Sequence, residues 1–335
     1  MTKRSVLGVA LAAVVGVALI VAAGCRRQQP AQPSVSEGAG PPARAKAGEG
    51  LRIAVVPKAL IGEYWVDCKD GAEAAAEELG CELVFEGPQN ETDTAQQITI
   101  IENLVLKGID GLAISPCSAD ALVRPAKEAA AKGVKVVTLD SDLADPAARL
   151  CYIGTDNKEA GKIAAAKLAE VLGENGNVAI VNGAPSAQNC VDRVDGFRER
   201  IAQFPGIQIV DEQTCQSQRE LALQVSENML SEHSDLDGFF TVNAPGAPGA
   251  GLAVRNKGLT GSVKIVGFDL LDESLALLRG GVVQALIAQK PYDMGKLAVE
   301  KLVAACRGEE LEPLIDTGVD VVTLENVDEI APKAE

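Results

Sequence analysis

From Arg52 onward the chain alternates short apolar runs with longer stretches whose apolar residues recur at helical spacing. Arg52–Pro57 reads as a buried strand, Val66–Leu79 as a helix stopped by Gly80, and Glu82–Phe85 as the next strand. The rhythm continues with helix Thr94–Lys107, strand Gly111–Ile114, helix Ala119–Lys132 (with Pro125 inside it) and strand Val134–Leu139. A second series follows: helix 157–172, strand Asn177–Val181, helix 190–203, strand Ile207–Val210 and helix 219–231. It runs on through strand Gly238–Val242, helix 249–257, strand Lys264–Gly267, helix 272–279, strand Val283–Ala288 and helix 292–306. Such alternation predicts an α/β fold of two doubly wound, parallel-sheet domains with helices on both faces of each sheet.

The apolar runs end, one after another, in a polar residue: Lys58, Ser115, Asp140, Asn182, Asn243, Asp269 and Gln289. Any one of them could simply begin a loop or cap a helix. Seven in series point to a ligand site, because open parallel sheets bind ligands outside the carboxyl ends of their strands. Amides and carboxylates without a nucleophile or base partner suit hydrogen bonding to hydroxyl groups.

The amino terminus follows other rules. Lys3 and Arg4 precede an uncharged stretch, Val6 to Gly24, that ends in small residues directly before Cys25. This layout predicts a signal peptide, residues 1–24, with Cys25 lipidated after cleavage. The alternative is an uncleaved membrane span, for which the stretch is long enough. Arg26 and Arg27 on its far side oppose the usual charge bias. Both readings export the body. Residues 26–50, rich in Gln, Pro, Ala, Gly and Ser, have no apolar periodicity and read as a flexible tether.

Composition narrows the functional classes. With 31 basic against 47 acidic residues, a net charge of −16 and no basic patch, nucleic acid is excluded as an expected partner. Besides Cys25 there are seven cysteines: 68, 81, 117, 151, 190, 215 and 306. An odd number cannot all pair within one chain. No Cys-x-x-Cys spacing occurs and His233 is the single histidine, so no zinc site is expected. Most of the cysteines read as small buried hydrophobes. No phosphate-binding Gly-x-x-x-x-Gly-Lys loop and no Gly-x-Ser-x-Gly elbow are present, and the Pro245–Gly251 run reads as a helix-entry loop. Neither catalysis nor a cofactor is expected.

Several stretches together carry a family resemblance: Asp70-Gly71-Ala72, Gly108 to Pro116, Val136 to Asp140, Ile153 to Asn157, Arg193 to Phe197 and Val266 to Asp269. From Leu51 to about Glu329 the chain resembles the periplasmic sugar-binding proteins of the ribose-binding type. The resemblance implies two lobes joined by a three-strand hinge, residues 51–154 plus 290–317 and residues 155–289 plus 318–330, with a ligand trapped between them. It implies that Tyr64 and Trp65 stack on a sugar ring, and that Asp140 accepts bonds from two hydroxyls. It further implies ligand contacts from Ser115, Asn243, Asp269 and Gln289. The chain departs from the ribose binders where Ser141 replaces an arginine, where Asn189 stands in for a second arginine, and where an aromatic near Ser217 is missing. Arg193 aligns with a structural arginine. Cys190 and Cys215 would lie near each other at the cleft rim, which makes them the expected disulfide if one forms.

The implied function is that of a monomeric solute-binding lipoprotein of an ABC importer, closing over a sugar or polyol and docking on a membrane permease. A sensory binder that presents its closed form to a membrane receptor is the alternative, and an enzyme on the same scaffold the third reading.

Overall fold

The computed structural model describes residues 46–331. The expected signal segment 1–24 and the lipidation site Cys25 lie outside the described residues. The stretch read as tether through Gly50 is already packed from Ala47 on: the Gly48 amide donates to the Leu79 carbonyl at 2.7 Å, and Arg307 Nη1 to the Ala47 carbonyl at 3.0 Å.

Two six-stranded sheets organise the body. The first contains β1 (Arg52–Val56), β2 (Glu82–Phe85), β3 (Gly111–Ile114), β4 (Lys135–Leu139), β5 (Tyr152–Gly154) and β11 (Leu314–Asp316), in the order β11-β5-β4-β3-β1-β2. The second contains β6 (Asn175–Asn182), β7 (Gly206–Thr214), β8 (Leu236–Thr241), β9 (Lys264–Phe268), β10 (Ala285–Ala288) and β12 (Asp320–Thr323), in the order β12-β10-β9-β8-β6-β7. The two orders are equivalent strand for strand, except that β12 runs antiparallel to β10 while β11 runs parallel to β5. The chain passes between the sheets three times: after β5, after β10 and between β11 and β12.

Alternate residues of each strand feed opposite faces, as a strand buried on both sides requires. On β1, Ile53 and Val55 join the core beneath α1 (Glu63–Leu79) and α9 (Pro291–Cys306). Ala54 and Val56 join the core beneath α2 (Thr94–Leu106) and α3 (Val123–Ala131). The second sheet divides likewise between α4 (Asn157–Leu172) with α5 (Gln188–Ile201) on one face, and α6 (Arg219–Glu232), α7 (Gly246–Asn256) and α8 (Asp272–Arg279) on the other. A short helix, α10 (Val327–Ile330), ends the described chain.

This division corrects the disulfide expectation. Cys190 packs with Val178 and Ile180, whereas Cys215 packs with Ala179 and Val181. The two thiols thus sit in cores on opposite faces of one sheet, and both are free. Two helix starts also differ from the sequence reading. Helix α3 begins only at Val123, which places Pro125 in the first turn, where its missing N–H removes no helical hydrogen bond. The Pro245–Gly251 run is not an entry loop but carries the first turns of α7, with Pro248 again third.

Glycines set the closest helix contacts. A Cβ on Gly71 would fall 1.9 Å from the Tyr292 carbonyl oxygen, and one on Gly295 1.9 Å from that of Cys68, so α1 and α9 meet backbone to backbone. Gly161 and Gly196 do the same for α4 and α5. Gly71→Ala is therefore expected to destabilise the fold by about 2–4 kcal/mol despite the better helix propensity of alanine. Urea unfolding measures this, and a change below about 0.5 kcal/mol, the range of neutral surface substitutions, would show that the two helices separate freely.

Candidate functional site

The carboxyl ends of the strands in both sheets border one cleft of about 350 Å³. From the first lobe come Lys58 after β1, Tyr64 and Trp65 in the first turn of α1, and Asp140 after β4. From the second come Asn189 and Arg193 on α5, Asn243 after β8, Asp269 after β9 and Gln289 after β10. Loop 89–91 and the segment 216–220, which runs into the first turn of α6, form the rim.

The backbone is strained where it meets the cleft. Asp140 and Asp269 leave equivalent strands with φ of 61° and 69°, in the left-handed region that short polar side chains tolerate. Gln216 and Ser217 on the rim share it. Four of the five described non-glycine residues with positive φ thus line the cleft.

An ion pair lies at the first-lobe end. Lys58 Nζ stands 2.9 Å from Asp140 Oδ2, with both side chains almost wholly buried. Lys58 also donates to Asn189 Oδ1 of the opposite lobe at 3.2 Å and lies 5.9 Å from the centre of the Trp65 ring. Asp140 accepts from the Tyr64 hydroxyl at 2.9 Å and from Ser115 Oγ at 2.7 Å, with Asn189 Nδ2 at 3.4 Å from each oxygen. A carboxylate offers about four lone-pair positions. Lys58, Tyr64 and Ser115 take three of them and Asn189 Nδ2 stands at the fourth, so Asp140 has no open position for the two ligand hydroxyls expected.

Open hydrogen-bonding capacity collects at the second-lobe end. Gln289 Nε2 donates to Asp269 at 3.0 Å, and Asn243 Nδ2 to Ser217 Oγ at 2.8 Å. The other amide atoms, Gln289 Oε1 and Asn243 Oδ1, are buried without a partner. Arg193 donates through Nε to Asn157 Oδ1 at 2.8 Å and through Nη1 to the Val242 carbonyl at 3.0 Å, and lies over the Phe268 ring at 4.1 Å. Its Nη2 is buried with no partner.

The structure thus brings Tyr64, Trp65, Asp140, Asn189, Asn243, Asp269 and Gln289 to one cleft. Two expected residues stand behind it. Ser115 is spent on the Asp140 carboxylate, and Ser141 Oγ accepts from the Asn189 amide at 3.3 Å, so neither lines the cleft. The sequence reading counted Lys58 among the strand-end polar residues but assigned it no ligand contact, and took Arg193 as structural. The place of Lys58 in that series, and the position of Arg193 four residues after Asn189 on the same face of a helix, are the signals that would have brought both to the cleft.

The charges follow from these contacts. Burial pushes Asp140 up, but Lys58 and Arg193, with the hydrogen bonds from Lys58 and Ser115, outweigh it and hold the carboxyl below its usual range. Burial likewise lowers Lys58, and the neighbouring carboxylates of Asp140 and Glu91 more than reverse this, so the ammonium is firmly protonated. Asp269 has no such partner. Burial pushes it up to about 6, only partly countered by Arg193 and the Gln289 hydrogen bond. A ligand hydroxyl donating to Asp269 needs the carboxylate, so binding must expel a proton below that pH. Affinity is expected to fall about tenfold between pH 7 and pH 5, and Asp269→Asn to weaken binding and flatten that dependence. In the empty protein the raised Asp269 favours folding at low pH, and that contribution is lost as pH rises through about 6. Calorimetric titration across this window checks the sign.

Residues 53–310 match the family model of the periplasmic binding protein domain. The D-ribose/D-allose-binding protein of Pseudomonas aeruginosa is 33% identical over 291 residues, covering 83% of this chain and 91% of that protein. The ribose import binding protein of Bacillus subtilis is 31% identical over 264 residues, covering 79% of this chain and 84% of its own. Among solved structures, an ABC transporter solute-binding protein from Burkholderia graminis, in complex with D-arabinose, has a TM-score of 0.80 at 34% identity, covering 86% of this chain and 99% of that one. A two-sheet fold with a cleft lined by amides and carboxylates, matched over most of its length by sugar-binding proteins, places this chain in the periplasmic binding protein family, among the members of the ribose-binding type.

Proposed function

We propose that this protein is an exported, lipid-anchored solute-binding protein that captures a small sugar or related polyol between its two lobes and delivers it to an ABC permease. The observation that carries the ligand class is the set of buried, unpartnered polar atoms on the cleft: Arg193 Nη2, Asn243 Oδ1 and Gln289 Oε1. A buried polar atom without a partner is costly, and a ligand that both donates and accepts removes the cost at all three. Hydroxyl groups do both, and Trp65 lines the cleft, where an aromatic ring suits the C–H side of a sugar.

Import is favoured over sensing because a relative that matches most of the chain is named for import. The lobes are residues 51–154 plus 290–317 and 155–289 plus 318–330, and contacts available only when both reach the ligand drive closure. Cys25 carries the lipid, and the polar stretch behind it keeps a monomeric binding body near its permease at raised effective concentration.

Titration of the mature protein with D-ribose, D-allose and D-arabinose, read by Trp65 fluorescence and calorimetry, is expected to give saturable one-site binding with at least one of them. Asn243→Ala is expected to weaken it about 10- to 100-fold by removing a buried partner. No response and no thermal shift across a wider panel of pentoses, hexoses and polyols would sink the sugar reading. For the anchor, Cys25→Ser is expected to abolish incorporation of labelled palmitate in a bacterial host, and unchanged labelling would overturn it.

A further inference from the structure

The single histidine of the chain lies on the second lobe, outside the cleft, and the fold gathers other groups around it. His233 caps the carboxyl end of α6, Glu232 is the last residue of that helix, and Asp211 lies on the edge strand β7, which is in contact with α6. An imidazole nitrogen and one oxygen from each carboxylate lie within 4.8 Å of one another. No zinc motif is written along the chain, because Asp211 comes from a different element.

An ordinary ion pair accounts poorly for this arrangement. His233 Nε2 stands 3.4 Å from Asp211 Oδ2, beyond the ~2.7–2.9 Å of a charge-assisted hydrogen bond. That separation matches the edge, about 3.3–3.4 Å, of a tetrahedron whose corners lie ~2.0–2.1 Å from its centre, the length of zinc bonds to imidazole nitrogen and carboxylate oxygen. Glu232 adds a second negative charge at the carboxyl end of a helix, where the helix dipole disfavours one. Among the described residues no lysine or arginine pairs with Asp211 or Glu232. The two half-buried members are held from behind. Asp211 Oδ2 accepts from Gln213 Nε2 at 3.0 Å, and the Asp211 backbone is registered against Ala179 of β6. The His233 amide donates to the Met229 carbonyl at 2.9 Å, and its carbonyl accepts from the Leu236 amide at 3.2 Å. Ligands on fixed backbone, one of them oriented by a further hydrogen bond, are what a metal site requires.

We propose that Asp211, Glu232 and His233 form a site for a divalent transition metal of the zinc class, with water completing the coordination. Three protein ligands and an open position suit Zn²⁺, and the imidazole nitrogen selects against Ca²⁺ and Mg²⁺, which take oxygen. The metal staples β7, which has β6 as its one neighbouring strand, to α6. Helix α6 starts at the cleft rim with Arg219 and is 14 residues long, which places the metal about 20 Å from the rim. The staple therefore acts on the stability of the second lobe and leaves the ligand contacts alone.

The test uses the mature full chain, freed of metal with EDTA and dialysed, then titrated with ZnCl₂ by calorimetry. One ion per chain is expected to bind saturably. Zinc at about 100 times its dissociation constant is expected to raise the thermal midpoint by about 4 °C. His233→Ala and Glu232→Gln, both at accessible positions, are each expected to weaken zinc binding about tenfold or more, since a ligand costs at least what an orienting partner does. Both are expected to remove the thermal shift while the response to D-ribose, D-allose and D-arabinose stays that of the wild type. Calcium bound as tightly as zinc overturns the proposal, as does the absence of any heat or thermal shift with ZnCl₂. Zinc binding that survives both substitutions overturns it too, and its loss on alkylation of the partly exposed Cys81 and Cys306 would then assign the metal to thiolates.

Discussion

The Lys58 ammonium and the Asp140 carboxylate are held 2.9 Å apart with almost no solvent around either, and much of the cleft is arranged to make that tolerable. Neither charge can stay buried alone. Removing one partner of such a pair typically costs about 3–5 kcal/mol, because the other is left uncompensated. The surroundings therefore converge on the pair: Tyr64 and Ser115 on the carboxylate from the first lobe, Asn189 on the ammonium from the second. Through Asn189 the charge balance of one lobe comes to depend on the position of the other. The Asp140 carbonyl extends the link, since it accepts from the Tyr152 hydroxyl at 3.1 Å. That hydroxyl accepts from Asn157, which in turn orients Arg193.

What brings these groups together is helix packing as much as sheet topology. Close backbone contact at Gly71 and Gly295 fixes α1 against α9, and contact at Gly161 and Gly196 fixes α4 against α5. Tyr64 and Trp65 open α1, and Asn189 lies in the first turn of α5 with Arg193 one turn on. The amino-terminal ends of these two helices hence face the cleft from opposite lobes, at positions set by glycines well away from it. The relation between sequence, packing and site runs through residues that touch no ligand.

Much of this was legible in the chain. Strands buried on both faces write long apolar runs, and helices between them write an unmistakable period, so the alternation and the polar strand ends could be read directly. The edges were not. Strand β7 was expected to stop at Val210 but runs to Thr214. It has a single neighbouring strand, β6, and its second half is polar and half exposed, so no apolar run marks it. Strands β5, β11 and β12, of three or four residues, are too short to carry a period. In the site, single positions were readable because a polar residue after an apolar run is conspicuous. Pairing was not, since which polar group meets which depends on contacts between residues 76 to 131 apart, as for Tyr64 with Asp140 and Lys58 with Asn189. The cysteines failed for a related reason: closeness along the rim says nothing about which face of the sheet each thiol enters.

The left-handed backbone at Asp140 and Asp269 bears on how this cleft could ever be given a different ligand. These residues follow equivalent strands, β4 and β9, and both line the cleft with a positive φ. Aspartate, asparagine and glycine accept that geometry at small cost, while β-branched residues do not. Whatever alphabet is tried elsewhere around the cleft, the main chain disfavours β-branched and bulky residues at these two sites. New specificity has to be written at the helix starts and the rim, with the two aspartates as fixed points of the design.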